Sequence, residues 1–149
     1  MRIAAYNVEW FSSLFDDNNR LVRDGGWSSR RDVTRAEQTD ALGIVFTALD
    51  ADAIMVIEAP DQGSKRRTVP ALEHFAKTFG LRARSALIGF SNDTQQEIAL
   101  LYDPDVLEVR HDPVGHNTDE AAPRFDGVFS IDLDVDATQD QVVFSKPPL

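Results

Sequence analysis

The chain has no cysteine, and this absence excludes disulfide bonds and metal sites built from thiolates. It also lacks any apolar run of the length needed to cross a membrane, and no signal-peptide core follows Met1. We therefore expect a cytoplasmic protein that has no membrane partner. No pattern in the sequence specifies an oligomeric state.

Basic side chains are scarce in the second part of the chain. Residues 1–90 contain 12 basic and 12 acidic side chains, whereas residues 91–149 contain 3 basic and 13 acidic ones and supply the whole net charge of −10. This distribution argues against broad electrostatic binding of nucleic acid, although it allows a local basic site. A length of 149 residues and 42% hydrophobic residues suit a single domain with its own core.

The strongest pattern in the sequence is an apolar run that ends in a carboxylate. Residues 53–57 are all apolar, Glu58 follows them, and Pro60 comes two residues later. A run of this length between turn signals predicts a strand buried on both faces. Glu58 is then at the carboxyl end of the strand, where ligands bind in open α/β sheets. Position alone leaves two interpretations, a metal ligand or the first solvated residue of a loop.

The elements before this strand predict a parallel pair. Residues 2–10 resemble a first strand that becomes polar at Asn7. A capping-box sequence at Thr34 and an apolar stripe of helical period predict an amphipathic helix that ends near Asp50. Strand, helix and strand in this order imply parallel pairing with a right-handed crossover. Asn7 and Glu58 are therefore expected at the same edge of the sheet.

The later elements differ in kind from the first ones. A second helical stripe covers residues 72–79, and a weak alternation predicts a strand over residues 81–88. Residues 96–102 predict another strand, which a turn would join to residues 106–111 as a hairpin. Two βα units followed by antiparallel strands indicate an α/β protein of the α+β type with a mixed sheet, rather than a doubly wound nucleotide-binding fold.

Four segments, in this order along the chain, resemble the endonuclease/exonuclease/phosphatase superfamily and its deoxyribonuclease I-like members. They are IAAYNV at 3–8, DADAIMVIE at 50–58, QEIALLYDPD at 96–105 and FSKPPL at 144–149. The resemblance implies a mixed-sheet α/β sandwich. The family's later Asp-x-Asn and Asp-His motifs have no counterpart here, so residues 1–149 are expected to form the N-terminal half of such a domain. A self-sufficient small domain is the alternative.

The resemblance also implies an activity, that of a hydrolase of phosphodiesters or phosphomonoesters that depends on Mg²⁺ or Mn²⁺. It implies that Asn7 lies in the active site, that Glu58 and Asn7 hold the metal, and that Glu97 supports a catalytic histidine. Glu97 has a second interpretation as an exposed carboxylate at a strand end. It also implies that the substrate is a phosphate ester, and nucleic acid is one such partner. With the later motifs missing, we expect little turnover, and a non-catalytic binding module is the alternative function.

Arginines in the loop before the first helix are candidates for substrate binding. Arg30 and Arg31 carry planar guanidinium groups that hold phosphate oxygens through two hydrogen bonds. Trp27 beside them either stacks on a base or sugar or serves only in packing. A second basic cluster, at residues 65–67, follows the Glu58 strand, although charge runs are more often solvated faces of a protein.

Overall fold

The computed structural model describes residues 1–91 and 97–112 and the backbone of two short strands at 130–131 and 140–141. The described elements are β1 (Ile3–Asn7), a 3₁₀ turn (Phe11–Leu14), α1 (Arg35–Leu49), β2 (Ala53–Ala59), α2 (Thr68–Phe79), β3 (Ser85–Ile88), β4 (Glu97–Tyr102), β5 (Ser130–Ile131) and β6 (Asp140–Gln141). The first four strands form an open sheet in the order β1-β2-β4-β3, and β5 pairs with β6. Strand β1 is parallel to β2, whereas β4 is antiparallel to both β2 and β3. The predicted mixed-sheet α/β class is confirmed.

Local signals in the sequence set the limits of both helices. The Thr34 hydroxyl accepts a hydrogen bond from the Glu37 backbone N–H at 3.2 Å, and the Glu37 carboxylate accepts one from the Thr34 N–H at 2.9 Å. This reciprocal capping box starts α1, and Asp50, in the left-handed region with φ 41°, ends it. Gly80 ends α2 with φ 61°, a conformation that glycine adopts without a steric cost. The predicted helices are therefore confirmed.

Both helices contribute to one core on the same face of the sheet. Its largest buried side chains are aromatic: Phe11, Phe46 and Phe75 are at most 1% exposed and pack edge to face or tilted against one another. A Cβ atom added to Gly43 of α1 would lie 2.1 Å from the ring of Phe79 in α2. The glycine that weakens α1 as a helix is thus the residue that allows α2 to approach it.

The other face of the sheet is more exposed than the sequence predicts. Within the described residues, Ile3 of β1 is 65% exposed and Met55 of β2 is 37% exposed, whereas Ile54 and Val56 are at most 1% exposed. The prediction that β2 is buried on both faces is therefore wrong for the part of the chain that the structure describes. The cause is strand alternation, because α1 and α2 add their apolar side chains to the cluster around Ile54 and Val56.

The predicted hairpin after β4 is wrong, although its turn is present. The Asp103 carbonyl accepts hydrogen bonds from the backbone N–H groups of Val106 at 3.1 Å and Leu107 at 2.9 Å. Strand β4 already pairs with β2 on one side and β3 on the other, so it has no edge left for residues 106–111. The motif at 144–149 and Gln96 lie outside the described residues. Within the described ranges, no helix is long and apolar enough to cross a membrane.

An ion-pair network holds the amino end of β2, away from Glu58. Arg82 Nε lies 2.7 Å from Asp50 Oδ1, and Arg82 Nη1 pairs with the carboxylate of Asp52. The hydrogen bond from Arg82, together with one from the Arg2 backbone N–H, holds the pKa of Asp52 below its usual value. Asp52 is only 8% exposed, so this network keeps a nearly buried carboxylate ionised.

Candidate active site at the strand ends

The carboxyl ends of β1 and β2 lie side by side. Asn7 is the register partner of Ile57, and the backbone N–H of Val8 donates to the carbonyl of Ile57 at 2.9 Å. Glu58 is therefore the residue immediately after the partner of Asn7. The predicted parallel pairing and the shared edge of the sheet are confirmed. The proposed catalytic and metal-binding roles of the two side chains remain predictions.

Glu58 occupies a β-bulge that no pattern in the sequence predicts. Ile57 pairs with Ile98 and Ala59 pairs with Glu97, so Glu58 is the extra residue on β2. Its φ of 59° lies in the left-handed region, which is uncommon for residues other than glycine, asparagine and aspartate. Regular alternation would direct Glu58 to the face that buries Val56. The bulge interrupts this alternation, and Glu58 keeps partial exposure.

Glu97 begins β4 beside this bulge and is fully buried, with 0% exposure. Its Oε1 accepts a hydrogen bond from the backbone N–H of Gln62, in the loop after β2, at 3.3 Å. The interpretation of Glu97 as an exposed carboxylate at a strand end is therefore wrong. Because β4 is antiparallel to β2, Glu97 lies at the same end of the sheet as Glu58 and Asn7. The three predicted catalytic residues thus come from the same end of three neighbouring strands.

Arg66 joins the segments that follow β1 and β2. Its Nη1 donates to the carbonyls of Ser12 and Phe15, the latter at 3.0 Å, and its Nε lies 2.8 Å from Asp61 Oδ1. The guanidinium is thus engaged by two carbonyls and a carboxylate within the protein. In the basic cluster at 65–67, Arg66 therefore fixes the loops around the strand ends instead of extending toward a phosphate.

Arg30 and Arg31 lie near the segment that leaves β1, with different surroundings. Arg30 Nη2 is 3.5 Å from the carboxylate of Glu9, two residues beyond Asn7. Arg31 pairs with Asp32 at 3.6 Å, and its side chain is 96% exposed. The indole Nε1 of Trp27 donates to the Arg30 carbonyl at 2.6 Å. Arg30 therefore pairs with the segment that leaves β1, whereas Trp27 makes its hydrogen bond within its own loop.

A groove next to these arginines contains two residues that the sequence analysis missed. The groove has a volume of about 590 Å³ and is lined by Glu9, Trp10, Arg30, Arg31, Asp32, Val33, Glu37, Gln38 and Ala41. We name it the Trp10 groove. Trp10, three residues after the last residue of β1, is the sequence signal for it. Gln38 sits inside a helix and gives no signal of its own.

The donor atoms at the strand ends suit a hard divalent cation. Within the described residues, no group of three or more His, Cys, Asp and Glu side chains is arranged to hold a metal. Glu58 and Asn7 offer one carboxylate and one amide oxygen. Mg²⁺ is commonly held by one or two carboxylates, with waters and substrate phosphate filling the other positions. The pair therefore fits Mg²⁺ or Mn²⁺, and it does not fit a structural zinc site.

Comparison of the chain with protein-family models, with curated proteins and with solved structures finds no match. The structure defines a protein with a four-stranded mixed open sheet whose described helices pack on one face. Its function must be inferred from the ordered motifs and from the geometry of the strand ends.

Proposed function

We propose that this chain carries the metal- and phosphate-binding edge of a phosphoesterase of the deoxyribonuclease I-like kind. The observation that supports this most is the grouping of Asn7, Glu58 and Glu97 at one end of three adjacent strands. These three residues come from three separate sequence motifs. A positive φ in a non-glycine residue at that edge is a further support, because backbone strain of this kind clusters at functional sites.

Each residue has a distinct role in this proposal. Glu58 and Asn7 hold Mg²⁺, which when bound supplies positive charge to a phosphate oxygen during hydrolysis by water. The Asn7 amide orients the phosphate, and Arg30 binds a second part of the ester. Glu97 is a positioning residue, because its buried carboxylate holds the loop after β2 through Gln62.

The sheet also supports the proposed α/β sandwich. Its second face carries Ile3 and Met55, which are substantially exposed within the described residues. Apolar surface of this kind is favourable to bury, at about 25 cal/mol per Å². We propose that a second layer packs on this face, as a sandwich requires.

Metal binding is the sharpest test, since it does not require turnover. Mn²⁺ titrated into the chain and followed by electron paramagnetic resonance should bind in the micromolar-to-millimolar range. Glu58→Gln should weaken binding by about tenfold or more, as expected for loss of a charged ligand. Glu108→Gln is the matched control, because it makes the same charge change at an exposed residue beyond the other end of β4.

Two outcomes would contradict the proposal. Equal Mn²⁺ affinity in both variants would remove Glu58 from the metal site. No Mn²⁺ binding by a folded chain, with no Mg²⁺-dependent hydrolysis of bis(4-nitrophenyl) phosphate, would favour the non-catalytic binding module instead.

A further inference from the structure

The Trp10 groove has the size and position of a ligand subsite. Its volume of about 590 Å³ lies within the range of roughly 300–1,000 Å³ typical of small-molecule pockets. It lies between the loop of residues 27–33 and the first turns of α1. Its first lining residues, Glu9 and Trp10, follow Asn7 by two and three positions. The groove therefore begins at the segment that leaves β1, two residues after Asn7.

One wall of the groove is preformed by hydrogen bonds within its own loop. The backbone N–H of Ser28 donates to the Val33 carbonyl at 3.1 Å, and the Ser28 hydroxyl donates to the same oxygen at 2.9 Å. The Trp27 indole Nε1 donates a hydrogen bond to the Arg30 carbonyl and so closes the loop. A wall of this kind is ordered before a ligand arrives, which lowers the entropic cost of binding.

Trp10 lines the groove in a strained backbone conformation. Its φ of 63° and ψ of 27° are in the left-handed region, which is unfavourable for a bulky residue. The turn after it holds this conformation, because the Trp10 carbonyl accepts from the Ser13 N–H at 3.1 Å. The side chain remains 45% exposed. An exposed indole offers a face on which a planar ring stacks.

Gln38 is a buried amide in the wall of the groove and holds the segment that leaves β1. The residue is only 4% exposed, and its Nε2 donates to the Glu9 carbonyl at 2.9 Å. A carbonyl only accepts hydrogen bonds, so this contact fixes which end of the amide is the nitrogen. Among the residues that the structure describes, nothing donates to the buried Oε1. That oxygen has almost no accessible surface, so a ligand in the groove does not reach it without a movement of Gln38, whereas the Glu9 carboxylate is exposed.

The charges around the groove favour a ligand with hydrogen-bond donors over an anion. The lining has three carboxylates, from Glu9, Asp32 and Glu37, and two guanidinium groups, from Arg30 and Arg31. Hydrogen bonds from Thr34 hold the pKa of Glu37 below its usual value, so Glu37 is an anion at neutral pH. Phosphate therefore fits the strand ends better than it fits the groove.

We propose that the Trp10 groove binds the nucleobase of the substrate, specifically a base that bears an exocyclic amino group. The base stacks on Trp10, and its amino group donates to the exposed Glu9 carboxylate of the lining. This inference rests on the proposed function, because a phosphate at the strand ends would deliver the base to the groove. It identifies the substrate as a nucleotide or nucleic acid.

Guanosine and inosine test the inference, since they differ only in the 2-amino group. The chain has two tryptophans, so the fluorescence of the unaltered chain reports on Trp10 and Trp27 together and that of Trp10→Phe reports on Trp27 as its one tryptophan. Guanosine should quench the tryptophan fluorescence of the unaltered chain, and inosine should bind about tenfold more weakly because one hydrogen bond is lost. Neither nucleoside should change the fluorescence of the Trp10→Phe variant. The nucleosides carry no phosphate, so Glu58→Gln should bind guanosine as the unaltered chain does.

The contradicting results are equally specific. Equal affinity for guanosine and inosine would mean stacking without recognition of the amino group. Quenching that persists in Trp10→Phe would place the base on Trp27, and no response to either nucleoside would mean that water alone occupies the groove. Labelling the unaltered chain with 5-fluorotryptophan gives the same answer by ¹⁹F resonance shifts if a variant fails to fold. Loss of Mn²⁺ binding with guanosine binding intact would reject the proposed function and keep the groove.

Discussion

The left-handed conformation of Glu58 predicts an unusual order of stability between two variants. Glu58→Gly and Glu58→Ala both remove the carboxylate and every contact that it makes. The comparison of the two variants therefore isolates the backbone. At an ordinary strand position, alanine is more stable than glycine by roughly 0.5–1 kcal/mol, because glycine loses more chain entropy on folding.

At position 58, where φ is 59°, the order of stability of the two variants should reverse. The left-handed conformation costs a residue with a Cβ about 1–2 kcal/mol, and glycine does not incur this cost. Subtracting the entropy cost of glycine leaves Glu58→Gly more stable than Glu58→Ala by about 0.5–1 kcal/mol.

Urea unfolding followed by circular dichroism measures this difference. With an m-value of about 2 kcal/mol per M, the midpoint of Glu58→Gly should be higher by roughly 0.3–0.5 M. A higher midpoint for Glu58→Ala would refute the bulge at this position. It would also remove the strain that supports the assignment of the site.

Two further predictions concern the amino end of β2 and the contact between the helices. Because the pKa of Asp52 is lowered in the folded state, its contribution to stability is present above its ordinary value of 3.8 and is lost as the pH falls through the lowered value. Arg82→Gln should therefore lose less unfolding free energy than the unaltered chain between about pH 5 and pH 2, and equal losses in urea titrations would contradict the role of Arg82. Gly43→Ala should destabilise the chain by about 1 kcal/mol. Overpacking against Phe79 costs roughly 1–3 kcal/mol, and the higher helix propensity of alanine offsets about 1 kcal/mol of that cost. In a Phe79→Ala background the same substitution should become stabilising, and a destabilising effect there would show that the clash lies elsewhere.

The parts of the fold that the sequence predicts correctly depend on local signals. The capping box at Thr34 lies within four residues, and the glycine stop at Gly80 follows directly after its helix. The parallel pairing of β1 and β2 follows from the order of elements and the fixed handedness of crossovers. Asn7 and Glu58 could be placed at one edge for this reason.

The parts that the sequence misses depend on contacts between distant segments. The turn at Asp103 is correct, but the partners of β4 are β2 and β3, which no local pattern specifies. Glu97 is buried, and its carboxylate accepts a hydrogen bond from Gln62, 35 positions away, a contact that no local pattern specifies. The bulge at Glu58 is also hidden, because glutamate has no preference for the left-handed region.

The order of the strands has a consequence for how the two proposed sites move. Within the described sheet, β2 has neighbours on both sides, so the amides of β2 should exchange with solvent chiefly through global unfolding. The loop of residues 27–33 lies outside the sheet and is closed by hydrogen bonds within the loop itself, so its amides should exchange through local opening. Guanosine should slow deuterium uptake in this loop and leave the deuterium uptake of β2 unchanged. Glu58 thus belongs to a strand whose amides should exchange slowly, whereas the wall of the Trp10 groove belongs to a loop whose amides should exchange faster.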